Sequence, residues 1–125
     1  VTRTTERSRR VKMRVIYKYI LVMATVPNQK TAQKMAKELL EQRLAACVTV
    51  SAACQSHYWW QGRMATDKEH ILFIKTRGSL YGDLEKKILK IHPYKVPEII
   101  ALPLVKGYGK YLDWISMETK RRRNN

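Results

Sequence analysis

The stretch His92-Pro93-Tyr94-Lys95-Val96-Pro97-Glu98 places an imidazole, a phenol and a carboxylate around two of the chain's four prolines. These are groups that bind ions and polar ligands. Proline lacks the backbone donor that a helix needs, and it pushes the preceding residue toward extended geometry. His92 and Val96 are therefore both steered out of helix, and His92 is left at a helix end. A stiff elbow with His, Tyr and Glu on it suits a ligand site. The competing reading is a rigid helix-to-strand connector capped by His92.

Other reactive groups are scattered. A nucleophilic pairing of Cys47 with His92 is conceivable on residue type, but nothing in the sequence brings the two together. There is no paired-carboxylate spacing, no phosphate-binding glycine loop, no G-x-S-x-G and no C-x-x-C, so catalysis is not expected. His57 and His70 fall on opposite arms of a long hairpin. With its turn near Gly62, His70 comes close to Cys54, a soft-metal pair on residue type. His92 is the better ligand candidate, because the elbow fixes its backbone.

The elements that carry these groups follow from hydrophobic period. Tyr19–Val26 is a continuous apolar run, as in a buried strand, closed by Pro27. No small-residue cleavage site follows it, so it reads as a strand and not as a secretory signal. Asn28 is an N-cap for a helix over 29–43, with Ala32, Met35, Ala36, Leu39 and Leu40 on its apolar stripe. Cys47 to Trp60 alternates with period two and reads as one strand of around fourteen residues, long against the usual length. Along such a strand Cys47 and Cys54 stand roughly 23 Å apart on opposite faces, so they cannot bridge. Gln61-Gly62-Arg63 is a turn, and Met64–Thr76 is the returning strand. Leu80, Leu84, Ile88 and Ile91 mark a second helix, which the elbow ends. A strand over 98–105 contains Pro103, which implies an edge position or a bulge. Tyr111, Leu112, Trp114 and Ile115 suggest a short final helix. The order β-α-β-β-α-β is the ferredoxin-like α+β plan, with two helices on one face of a four-stranded antiparallel sheet. That plan serves many functions and decides no chemistry.

The chain has 125 residues, two cysteines and a net charge of +15. Its length suggests one domain over 19–118, flanked by a basic extension at 1–18 and a basic tail at 119–125. The end segments carry +6 and +4 of the charge. Solvated tails of this kind imply weak, salt-sensitive polyanion contact and not a nucleic-acid-binding module. Two free thiols fit a reducing compartment such as the cytoplasm. The Arg-rich, acid-poor N-terminal segment also overlaps with an organelle transit peptide. No apolar run is long enough to span a membrane.

Several blocks together resemble the CutA divalent-cation tolerance family. They are Ala32–Leu40, Arg43-Leu-Ala-Ala-Cys-Val48, Tyr58-Trp-Trp-Gln-Gly62 and Ile74-Lys-Thr76. The elbow His92–Glu98 with Ile99–Pro103, and Tyr111-Leu-Asp-Trp114, complete the match over about residues 20–118. The resemblance implies a ferredoxin-like subunit of a homotrimer linked to tolerance of copper and other divalent ions. Copper ligands proposed in bacterial members are a strand Cys and a His-His pair. Position by position the Cys falls on Ala24 and the first His on Ile91, and only His92 is kept. A metal site then draws on His92, Glu98 and groups of a neighbouring subunit. The family's trimers are similar to PII signalling proteins. That likeness implies a cleft for a small, anionic effector with Lys75, Tyr94 and Glu98 as its polar groups. Some animal members are linked to anchoring of an esterase, so a scaffold role is also implied.

The sequence has its own reason for assembly. Hairpin arms of about 45 Å outreach the other two strands, which have some eight residues each. The overhang carries Tyr58, Trp59 and Trp60, whose rings cannot all be buried on a two-stranded ribbon. Such a ribbon is marginal alone and has open edges, so these three aromatics are expected at a trimer interface.

Overall fold

The computed structural model describes residues 17–120. The expectations for the basic segments at the two ends lie, in all but a few residues, outside that range. Tyr19–Val26 forms strand β1, and Gln29–Glu41 forms helix α1. The Asn28 side chain caps α1 by accepting from the Thr31 amide at 2.8 Å. Ala32, Met35 and Leu39 are buried, whereas Leu40 is exposed, so the apolar stripe is narrower than its sequence suggests. Arg43, at φ 58°, reverses the chain after α1, where its amide and that of Leu44 bond to the Leu40 and Leu39 carbonyls.

Strands β2 (Cys47–Val50), β3 (Cys54–Trp60) and β4 (Arg63–Arg77) follow. The single fourteen-residue strand expected from the alternation is in fact broken. Val50 pairs with Leu72 and Cys54 with Glu69, so three residues, Ser51–Ala53, oppose two, His70 and Ile71. This is a bulge of one residue. Ser51 holds it: its Oγ accepts from the Ile71 amide at 2.8 Å, and its carbonyl lies 2.9 Å from His70 Nδ1. Because side chains alternate with period two, the extra residue changes which face the even-numbered positions occupy. Val48 and Val50 sit on the face shared with buried Ile74 and Leu72. Beyond the bulge Cys54, Ser56, Tyr58 and Trp60 pair with Glu69, Asp67, Ala65 and Arg63 on the opposite face. The hairpin closes as read, with Gln61 (φ 50°) and Gly62 (φ 79°) between paired Trp60 and Arg63, the two-residue turn whose twist matches the strands.

A short 3-10 turn at Gly78–Leu80 leads into α2 (Tyr81–Ile91), the elbow, β5 (Ile99–Pro103) and α3 (Gly109–Glu118). The antiparallel sheet has the order β2-β4-β1-β5, with β3 continuing on the β2 side of β4. This is the ferredoxin-like arrangement, with five strands because of the bulge. Pro103 lies on an edge strand, where its missing donor costs nothing. Val22, Ala24, Val26, Leu72 and Ile74 of one sheet face pack with Met35 and Leu39 of α1 and Leu84 and Ile88 of α2 to form the core. On the other face α3 covers one end. Tyr19 bonds Ser116, Arg77 donates to Thr119 at 2.8 Å, and Arg43 donates to the Glu118 carboxylate at 2.9 Å.

Strand β1 pairs with residues 70–77 of β4, and β3 pairs with residues 63–69. The far half of the hairpin is therefore a two-stranded ribbon whose β4 edge has no strand beside it among the described residues. Trp59 is 71% exposed, and Tyr58 and Trp60 are also exposed. No described helix is long and apolar enough to cross a membrane.

Candidate functional site

The elbow folds back beneath the ribbon, and between them lies a cleft of about 800 Å³. Its ribbon wall is Ser56, His57, Tyr58, Trp60, Asp67 and Glu69, its elbow wall runs from Pro93 to Glu98, and Thr25 also lines it. The Gln61-Gly62 turn pairs Tyr58 with Ala65 and Trp60 with Arg63, which puts both rings on the face of Asp67 and Glu69, and the bulge takes up the one-residue mismatch with the register of β2.

His92 sets the elbow. Its amide closes the last turn of α2 on the Ile88 carbonyl at 2.8 Å. Its Nε2 lies 2.7 Å from the Thr25 carbonyl, and its Nδ1 lies 3.0 Å from the Tyr94 amide. The first partner can only accept and the second can only donate. The ring is thus neutral, with the proton on Nε2. It is buried, and its ring lies 4.8 Å from that of Tyr94. Both nitrogens are occupied, so a metal at His92 must displace a backbone hydrogen bond.

Two phenol–carboxylate pairs line the cleft. The Tyr94 hydroxyl donates to Glu69 Oε2 at 2.9 Å, and the Tyr58 hydroxyl donates to Asp67 Oδ2. Burial, then the bond to Glu69, pushes the Tyr94 phenol well above its ordinary value. The bond to Asp67 is the main cause of the upward shift at Tyr58. Both phenols therefore stay protonated and donate to the carboxylates.

Of the residues singled out from sequence, Tyr58, Trp60, Tyr94 and Glu98 line this cleft, and Trp59 is on the other face of the ribbon. Lys75 is six residues along β4 from Glu69, roughly 20 Å at the usual rise. There it lies over the Tyr111 ring, 5.6 Å from its centroid. Lys75 and Tyr94 share no cleft within one chain. Cys54 and His70 do not form a pair: the Cys54 thiol donates to the Glu69 carbonyl at 3.2 Å, and Cys54 faces with Glu69, opposite to His70. Among the described residues no three His, Cys, Asp or Glu side chains gather as a metal cluster. Sequence reading missed Asp67 and Glu69. Their signal was present, because two carboxylates two apart on a strand share a face.

A family model described as CutA1 divalent ion tolerance protein matches residues 20–118. The divalent-cation tolerance protein CutA of Thermus thermophilus is 42% identical over 99 residues, covering 79% of this chain and 96% of that protein. The rice protein CutA 1, chloroplastic, is 43% identical over 101 residues, covering 81% of this chain but only 57% of that protein. The crystal structure of CutA1 from Oryza sativa superposes with a TM-score of 0.81 at 40% identity, covering 86% of this chain and 98% of that one. The chain belongs to the CutA1 divalent ion tolerance family.

Proposed function

We propose that this chain works as a homotrimeric divalent-cation tolerance protein that binds copper or a similar ion weakly at the elbow and performs no catalysis. The open β4 edge carries the trimer reading. Residues 63–69 have a strand on one side only, next to exposed Trp59 and Trp60. On the face not packed by α1 and α2, Ile100 and Leu102 are exposed as well. A neighbour that pairs with the edge and covers these side chains satisfies the backbone and closes a ring.

The metal reading draws on the family description and on the cleft's carboxylates. With both His92 nitrogens in use, Glu98 and a neighbouring subunit's groups are the proposed further ligands. Copper(II) titration by absorbance and calorimetry tests it. Binding should be weak and should fall in both His92→Ala and Glu98→Ala. Copper binding unchanged in both variants removes the elbow as the site.

A second reading is an effector-binding or scaffold protein similar to PII, and the cleft favours it. Its volume and its mixed aromatic and polar walls suit a small molecule. Any cleft that includes both Lys75 and Tyr94 is built by two subunits. For the compartment we propose the cytoplasm, with an organelle as the second reading, since two plant relatives are named chloroplastic.

A further inference from the structure

The charge in the elbow cleft is opposite to that of the chain. The protein carries +15 overall. Yet the cleft's charged groups are the carboxylates of Asp67, Glu69 and Glu98, with Lys95 the one ammonium. An anionic ligand would meet three like charges there. A metal ion at the elbow would fill only a small part of the cleft. The space is many times an ion's volume, its walls are aromatic, and no cluster of three ligating side chains is present among the described residues.

Glu69 is the decisive group. It is only 6% exposed, and it lines the cleft. Its Oε2 takes the Tyr94 hydroxyl, while Oε1 has no hydrogen-bond partner among the described residues. That oxygen is not closed off from solvent, so it is an open acceptor on the cleft wall, and an N–H donor from a ligand can make a charge-assisted hydrogen bond to it. Tyr58, Trp60 and Tyr94 supply ring surface around this oxygen, and aromatic faces attract cations. Both phenols already donate to carboxylates, so they orient the acids and leave the open acceptor to the ligand.

We propose that the cleft binds a primary alkylammonium compound, with its N–H groups on Glu69 and its carbon chain against Tyr58, Trp60 and Tyr94. This rests on the reading of the cleft as a small-molecule site and names the class of molecule. Bound cation would neutralise part of a carboxylate pair that sits next to the open β4 edge, so occupancy and assembly would be coupled.

The test is a heteronuclear NMR titration of the full chain with n-butylammonium chloride, with citrate at equal ionic strength as the anionic arm. The signals to follow are the Trp60 indole and the amides of Asp67, Glu69 and Tyr94. The expected result is saturable shifts at these positions in the millimolar range, with affinity about tenfold lower in Glu69→Gln, the loss of a charge-assisted hydrogen bond. Should Glu69→Gln fail to fold, exposed Asp67→Asn should still weaken binding several-fold. Equal affinity in a folded variant and wild type overturns the proposal. Citrate shifting the cleft while n-butylammonium does not overturns the charge assignment but leaves a ligand site. If neither moves those signals, the cleft is no small-molecule site and both readings fall.

Discussion

The Tyr94 hydroxyl donates to Glu69 Oε2 across 2.9 Å, tying the elbow to the middle of β4. Removing the hydroxyl leaves Glu69 buried with neither oxygen paired. Tyr94→Phe should therefore lower unfolding free energy by about 1–2 kcal/mol, the range for a hydrogen bond to a partly buried charge. Urea melts at neutral pH measure it. No change would mean that the bond is formed only transiently.

The same phenol predicts an alkaline limit. Its ordinary value is 10.0, and the fold raises it. Between those two values the folded chain holds more protons than the unfolded one, so stability falls as pH rises above about 10. Tyr81, pushed up to about 12 by burial and its bond to Glu85, adds to the slope. Tyr94→Phe should flatten the decline without abolishing it. Thermal melts from neutral pH upward follow the difference, and parallel curves would contradict it.

His92 should matter to folding whatever it does with metals. Two buried hydrogen bonds converge on its ring. His92→Ala strips the Thr25 carbonyl and the Tyr94 amide of their partners and should cost about 2–4 kcal/mol. A metal-binding assay on this variant is interpretable only beside its melting curve. An unperturbed melt would show that the ring is not the clasp of the elbow.

Arg43 gives an ordering. It sits at φ 58° and also donates to Glu118. Arg43→Ala keeps the left-handed backbone and loses the bond, while Arg43→Gly loses the bond and relieves about 1 kcal/mol of backbone cost. The glycine variant should be the more stable of the two by about that amount. The reverse order would mean that the left-handed backbone at residue 43 carries no such cost.

For the proposed assembly, light scattering should give a mass near three times 14.7 kDa, and Trp60→Asp should weaken it. A monomer at tens of micromolar in the unaltered chain would remove the trimer and every site built between subunits.

The fold was largely legible because its signals are local. Asn28 caps as its chemistry requires, Gln61-Gly62 turns as two positive φ angles demand, and Pro103 lies on an edge. The cleft was legible in part. Proline stiffness located the elbow, and His92 was rightly placed at a helix end. What remained hidden was a matter of partners across the chain. Nothing near His92 in sequence reveals that the Thr25 carbonyl would accept a hydrogen bond from its ring. Alternation through Ser51–Ala53 looks continuous, because small residues suit either face, so the bulge left no mark in hydrophobicity. Asp67 and Glu69 share a face by their spacing alone, but their importance depends on which β3 residues face them.

The extra residue at Ser51–Ala53 also acts as a counting device. It lets β2 and β3 pair with one continuous β4 in two registers that differ by one residue. Dropping Ala52 alone would leave two residues opposite His70 and Ile71, so the ladder would run unbroken from Val50–Leu72 to Cys54–Glu69. Tyr58 and Trp60 would keep their place beside Asp67 and Glu69, because the Gln61-Gly62 turn holds that register. The surplus residue is thus slack in the strand: its loss would straighten the local bend and leave the cleft's aromatic wall where it is.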